Sequence, residues 1–271
     1  MASAILRKAW EGKWALVTGA SAGIGEALAV ELAQAGVHLV LTARRRERLE
    51  ALASRLASQH SVQNRVLVAD LTRPEAPAEI FAGTEGAGLP IEVLINNAGF
   101  GEYGEFLRSD PELQINMVQV NCTAVVHLSR LFLPRMVERR TGAMMIVAST
   151  AAYQPVPYLA TYSATKAFDR MLAEALAEEV KAYGVKVSAL CPGPTVSEFD
   201  QVAGSRKTDM RPRQSTGEVA LRGLEGLVAG KPWVIPYLRG QLQVFGQRFL
   251  PRRLVTETAG RMMRPEESQK K

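Results

Sequence analysis

Tyr162 and Lys166 stand four residues apart in Tyr162-Ser163-Ala164-Thr165-Lys166, within a segment whose apolar spacing predicts a long helix over 160–183. That spacing projects both side chains from one helix face. A free tyrosine, with a pKa of about 10, is a poor acid–base group at neutrality. A neighbouring ammonium favours the phenolate and brings the group toward the working range. Alone, such a pair is ordinarily a surface pair, so its company matters. Ser149, at the end of an apolar strand, offers a hydroxyl able to hold a carbonyl oxygen. Tyr153 and Tyr158 lie nearby, but neither has a lysine four residues later: position 157 is proline and position 162 tyrosine.

A second group of residues suits a phosphate. Thr18-Gly19-Ala20-Ser21-Ala22-Gly23-Ile24-Gly25 joins a predicted strand to a predicted helix. Glycines there let the backbone turn tightly and approach a pyrophosphate, whose charge is favoured by the free N–H groups of the helix N-terminus. The spacing, Gly-x3-Gly-x-Gly, departs from the Gly-x-Gly-x-x-Gly fingerprint, and a plain tight loop is the alternative. The strand before and the helix after favour a bound nucleotide. Ser21 is placed to cap the helix and to donate to a phosphate.

The elements that must position these groups alternate along the chain. Apolar runs at 14–19, 37–42, 66–70, 93–95, 144–148, 185–190 and 233–235 read as strands, nearly continuous as in sheets covered on both faces. Helical spacing fills the intervals at 23–35, 46–58 and 160–183, with one helix of about thirty residues over 110–139. Gly36 is placed to stop the first of them. Strands separated by helix-length segments imply right-handed crossovers and a parallel sheet. The expectation is one doubly wound α/β domain over 1–271, a mainly seven-stranded parallel sheet with helices on both faces. An irregular segment at 194–214 interrupts it, and a basic extension covers 239–271.

Composition narrows the setting. The chain has 271 residues, 47% hydrophobic and 22% charged, enough for a large core and unlike a disordered chain. Cys122 and Cys191 are too few for a disulfide scaffold, and His38, His60 and His127 form no metal-ligand cluster, so no metal site is expected. Both cysteines read as small core residues. With no run long enough for a membrane helix and no secretory signal, a cytoplasmic protein is expected. The net charge of +6 sits wholly in residues 205–271, which carry 14 Lys/Arg against 6 Asp/Glu. That excess is either a solvated surface or a field for an anionic substrate, carrier or membrane. No nucleic-acid motif accompanies it.

The ordered set of motifs resembles the short-chain dehydrogenase/reductase family. Thr18 to Gly25 matches its TGxxxGIG turn, and the likeness continues through Asp70-Leu71-Thr72, Asn96-Asn97-Ala98-Gly99, Asn121, Ser149, Tyr162 to Lys166 and Pro192-Gly193. It spans about 12–240 and implies a Rossmann-like fold and an NAD or NADP cofactor. By resemblance, Asn121, Ser149, Tyr162 and Lys166 are catalytic, Asn121 helping to keep a proton-relay water beside the lysine. Tyr162 then protonates the carbonyl oxygen as hydride arrives from the nicotinamide, while Lys166 also contacts the ribose. Gly19, Ser21, Gly23, Ile24 and Gly25 hold the pyrophosphate, and Asp70 and Leu71 the adenine. Asn97, Ala98 and Gly99 pass the ribose, Asn97 steadying the sheet. Pro192 and Gly193 lie near the nicotinamide, and Thr195 and Ser197 are placed to meet the carboxamide and the pyrophosphate, although Val and Thr are commoner at those two positions.

The end of the second strand bears on cofactor choice. An NAD site places an acid there for the ribose 2′-OH; this chain has Ala43 at that position, followed by Arg44 and Arg45. Arg44 is able to grip a 2′-phosphate with its planar fork and Arg45 to add charge, so NADP(H) is expected. The alternative is that both arginines begin a charged surface helix. The substrate walls are placed on Phe100, Tyr103, Phe106, Tyr153, Pro155, Val156 and Phe199, a mainly apolar set suited to a hydrophobic ketone, aldehyde or 3-oxoacyl group. The segment at 194–214 is the expected flap, with Arg206, Arg211 and Arg213 available to a phosphate-bearing carrier. The branch resembled is that of bacterial uncharacterised reductases and long-chain 3-oxoacyl thioester reductases. Surplus apolar residues on the two long helices imply a homodimer or homotetramer. Two rivals stand beside the NADPH-dependent reductase: a catalytically idle cofactor-binding regulator, and a basic membrane-surface protein docking through its C-terminal Arg/Phe/Leu segment.

Overall fold

The computed structural model describes residues 4–199, 203–204 and 213–265. Seven strands form one parallel sheet: β1 Trp14–Thr18, β2 His38–Ala43, β3 Asn64–Val68, β4 Val93–Asn96, β5 Gly142–Val147, β6 Val185–Leu190 and β7 Trp233–Val234. Their order is β3-β2-β1-β4-β5-β6-β7. The chain winds outward from β1 in one direction and then from β4 in the other. A crevice therefore opens at the carboxyl ends of the strands where the order reverses.

Side-chain alternation divides the core into two layers. Ala15, Val17, Leu39, Leu41, Val93, Ile95 and Met145 face one side of the sheet. They pack against α1 Ala4–Trp10, α2 Gly23–Gln34 and α3 Arg46–His60. Leu16, Val40, Leu94, Met144, Ile146 and Val187 face the other side. There they meet α4 Ala76–Ala82, α6 Ala124–Arg139 and α7 Ala160–Val180, the helix α5 Pro111–Val118 preceding α6. Along the chain the sheet is completed by α8 Thr216–Val228, which returns to the α2 side, followed by α9 Leu238–Gln247 and α10 Arg252–Met263. This is the expected doubly wound arrangement.

Three local expectations are corrected. The third strand runs two residues earlier than 66–70, because the β2 partners Leu39 to Ala43 pair with Asn64 to Val68. As an edge strand it tolerates polar Asn64 and Arg65 at its start. The fifth strand begins at Gly142, set by its pairing with Val185 of β6, while the ladder with β4 starts at Ala143. The expected thirty-residue helix is broken by a π-helical turn at Gln119–Thr123, where the Ala124 N–H reaches back to the Gln119 carbonyl. Such turns mark functional positions, and this one carries Asn121.

Candidate active site

A cavity of about 580 Å³ lies at the carboxyl ends of the strands. Each strand contributes the residues just beyond it: Gly19 after β1, Arg44 after β2, Asp70 after β3, Asn97 after β4, Ser149 after β5, Pro192 after β6 and Tyr237 after β7. Every residue selected from the sequence for catalysis or cofactor binding lines this cavity except Asn121.

The glycine turn is shaped by close approach. Gly19 has φ +65°, and a Cβ there would stand 2.8 Å from Asn97 Nδ2 and 2.9 Å from the Ala98 Cα. Gly23 has φ +60°, in the left-handed region that strains other residues. At Gly25 a Cβ would collide with the Gly19 carbonyl. Asn97 locks the arrangement, its Nδ2 donating to the Thr18 carbonyl at 2.8 Å, while Thr18 Oγ1 accepts from the Asn97 and Ala98 N–H groups at 2.9 Å. No side chain caps α2, whose N-cap is Ala22. The turn thus leaves helix N–H groups facing a cleft lined by bare backbone, which fits a pyrophosphate.

Ser21 does not cap that helix. Its hydroxyl accepts from Arg45 Nε at 3.1 Å and Nη2 at 3.0 Å, which turns it toward the cavity rim. Arg45 Nη1 also donates to Glu198 at 2.9 Å, and Arg48 donates to the same carboxylate at 2.7 Å. These guanidiniums hold the Glu198 carboxyl below the usual carboxylate range. Arg44 lines the cavity beside them and, among the described residues, makes no side-chain hydrogen bond or ion pair. Asp70 Oδ1 accepts from the Thr72 N–H and hydroxyl, fixing the carboxylate at the cavity edge next to Leu71.

At the opposite end, Ser149 Oγ accepts from the Ala151 N–H at 3.1 Å, which leaves its own proton for a ligand. The Tyr162 ring packs against Phe199, with centroids 5.1 Å apart. Lys166 is buried, and its Nζ donates to the Val147 carbonyl at 2.7 Å and to Asp169 Oδ2 at 2.9 Å. Burial alone favours the neutral amine. The negative charges of Asp169 and then Tyr162 outweigh it, so the lysine pKa lies above its ordinary value. Asp169, 1% exposed, has its carboxyl raised by burial against the pull of Lys166. Sequence reasoning missed Asp169; an acid three residues after the lysine, hence on its helix face, was the available signal.

Asn121 is fully buried in the π turn. Its Nδ2 donates to the Phe100 carbonyl and to Thr165 Oγ1, both at 3.0 Å, and its Oδ1 accepts from the Phe100 N–H at 3.1 Å. The amide therefore pins the loop after β4 to α7. A Cβ on Gly99 would stand 3.0 Å from Asn121 Oδ1 and 3.4 Å from Lys166 Nζ.

The expected substrate wall is partly redrawn. Phe100, Tyr103, Val156 and Phe199 line the cavity, whereas Phe106, Tyr153 and Pro155 do not. Phe106 is 62% exposed. Tyr153 is turned to Cys191 and lies under Arg170, its phenol pushed up by burial. Their places are taken by residues from beyond the sheet: Tyr237, Gln243 on α9, and Ala259, Met262 and Met263 on α10. Tyr103 Oη donates to the Met263 carbonyl at 2.6 Å, tying the 99–106 loop to the end of α10. The basic C-terminal extension is thus part of the cavity wall. Thr195 donates to the Gly193 carbonyl, and Ser197 accepts from the Phe199 N–H. Arg213 also lines the cavity, while Arg206 and Arg211 lie outside the described residues.

Comparison with known proteins identifies the family of the fold. The family model for short chain dehydrogenase matches residues 13–208. The zebrafish (Danio rerio) very-long-chain 3-oxoacyl-CoA reductase-B is 38% identical over 73% of this chain, which covers 64% of that relative's length. A short-chain dehydrogenase from Sphingobium yanoikuyae, solved in complex with NADPH, is 32% identical with a TM-score of 0.80, covering 87% of this chain and 93% of the other. The bulky-bulky ketone specific alcohol dehydrogenase from Comamonas testosteroni is 30% identical with a TM-score of 0.74, over 88% and 99%.

Proposed function

Because the chain belongs to the short-chain dehydrogenase/reductase family, we propose that it is an NADPH-dependent reductase of a mainly hydrophobic ketone, aldehyde or 3-oxoacyl substrate. The observation that carries this reading is the convergence of Ser149, Tyr162 and Lys166 on the cavity that also holds the bare glycine turn. A nicotinamide dinucleotide, when bound, supplies the hydride. The Ser149 hydroxyl holds the carbonyl oxygen, Tyr162 gives that oxygen its proton, and the Lys166 ammonium stabilises the phenolate left behind. A carbonyl thereby becomes an alcohol, with the phenolate reprotonated from solvent. An idle regulator has no use for this complete set.

Arg44, without a partner among the described residues, and the lack of a carboxylate at Ala43 support NADPH over NADH. Phe100, Val156, Leu159, Met262 and Met263 support an apolar substrate. The 3-oxoacyl-CoA reductase and bulky-ketone relatives are consistent with it. Arg213 on the wall is suited to an anionic carrier group. We further read the chain as a cytoplasmic homodimer or homotetramer, joined through the face of α6 and α7 that exposes Val126, Phe168 and Met171. The test of the chemistry is Tyr162→Phe, assayed by NADPH oxidation with a panel of ketones, aldehydes and 3-oxoacyl thioesters. Turnover should fall about a hundred- to ten-thousandfold while NADPH still binds; turnover near the wild-type rate refutes the assignment.

A further inference from the structure

The two C-terminal helices turn an apolar ridge outward. Leu238, Leu242, Phe245 and Phe249 recur at helical spacing along α9 and just past it, and Leu238 and Phe249 are 70% and 73% exposed. The opposite face of α9 packs inward through Gly240, set against the Tyr237 ring, and through buried Val244. Phe245 and Phe249 meet edge to face with centroids 5.3 Å apart, and Leu250 and Leu254 continue the exposed ridge into α10. Contiguous exposed aromatic and leucine side chains are what a soluble surface avoids.

The charge beside the ridge is mainly positive. Residues 238–265 carry Arg239, Arg248, Arg252, Arg253, Arg261 and Arg264 against a single acid, Glu257, which pairs with Arg253 at 2.7 Å. A second copy seated on this ridge would bring the same arginines face to face, whereas an anionic lipid surface complements both the ridge and its charge. The same helices wall the cavity through Gln243, Ala259, Met262 and Met263. Met262 lines the cavity and is also 64% exposed.

We propose that α9 and α10 form a docking surface for anionic membranes, with Leu238, Leu242, Phe245 and Phe249 entering the headgroup–acyl boundary and the flanking arginines meeting lipid phosphates. Docked in this way, the protein presents its cavity wall to the bilayer, a source of apolar substrates. That last consequence rests on the reductase reading; the docking itself does not, and its readout needs no turnover.

The test is co-sedimentation of the full chain with phosphatidylcholine vesicles with and without phosphatidylserine, alongside light scattering of the free protein. Binding should appear with phosphatidylserine, fall at about 0.5 M salt, and weaken about fivefold for each of Arg248→Gln and Arg252→Gln. Phe245→Ser with Phe249→Ser should weaken it at least about tenfold. These side chains are exposed and outside the cavity, so folding and NADPH binding should persist. Failure of wild type to bind phosphatidylserine vesicles overturns the proposal. So does an equal affinity for both vesicle types, or a doubly serine-substituted variant that still binds while a wild-type dimer falls to monomers, which would make the ridge a self-association face.

Discussion

Lys166 and Asp169 form an ion pair with side chains 7% and 1% exposed, and they allow a quantitative test of how the site is held. Removing one partner of a buried pair leaves an uncompensated charge and costs about 3–5 kcal/mol. At about 2–4 °C per kcal/mol for a chain of this size, Asp169→Leu should lower the Tm by roughly 6–20 °C. Lys166→Met should do the same, because it strands a carboxylate whose Oδ1 already lacks a hydrogen-bond partner among the described residues. The double variant removes both charges and fills much of the volume, so it should recover most of the loss. The assay is a double-mutant cycle of urea unfolding. The sign of the pH effect follows from Lys166, whose pKa is raised in the folded state above the ordinary 10.5. Its stabilising contribution is complete below that ordinary value and is lost as pH climbs through the folded one, so the Asp169→Leu deficit should narrow in strongly alkaline buffer. Losses from the two single changes that simply add would show that the pair is not coupled, and would refute this account of how the lysine is retained.

The combined change Ala43→Asp with Arg44→Ala should cost NADPH affinity and gain use of NADH; a clear wild-type preference for NADH in kcat/KM refutes the role given to Arg44. Glu198→Gln releases Arg45 and Arg48 from a competing carboxylate and should tighten NADPH binding roughly two- to fivefold in a fluorescence titration. An equal gain for NADH would show that the released charge does not read the 2′-phosphate. Cys191 is buried in the core, whereas Cys122, expected there too, is only half-buried; burial pushes both thiols up to about 12, so both should resist alkylation at neutral pH in the native protein and react after unfolding. Prompt labelling of Cys191 in the native protein would contradict its placement in the core.

The sheet was readable because buried parallel strands must be apolar runs, and because glycines and polar residues at strand ends fall at motif spacings. Where the sequence misled, the deciding force was long-range. Ser21 reads as a helix cap until Arg45, 24 residues away, takes its hydroxyl. The start of β3 is polar, and only pairing with β2 reveals it as strand. The π turn around Asn121 has no periodicity of its own; it is the place where a helix yields so that one amide can reach both Phe100 and Thr165. Asp169 drew no reading from the sequence, because only the fold shows that it is buried against Lys166.

The same division separates chemistry from selectivity in this site. The groups proposed to move a proton and hold a carbonyl oxygen stand at the ends of β5 and on α7, against strands paired on both sides. Their positions follow from the sheet. The cavity's outer wall is built instead by Tyr237, α9 and α10, which lie beyond the last strand and beyond residues 13–208 of the family match. No sheet register constrains those helices. They are held by contacts such as the Tyr103 hydroxyl on the Met263 carbonyl and Gly240 against the Tyr237 ring. Changes there alter the cavity without disturbing the reacting groups. Substrate preference in this chain should therefore follow substitutions at Gln243, Ala259, Met262 and Met263, appearing in KM and substrate rank order, while the Tyr162 dependence of the chemical step stays fixed.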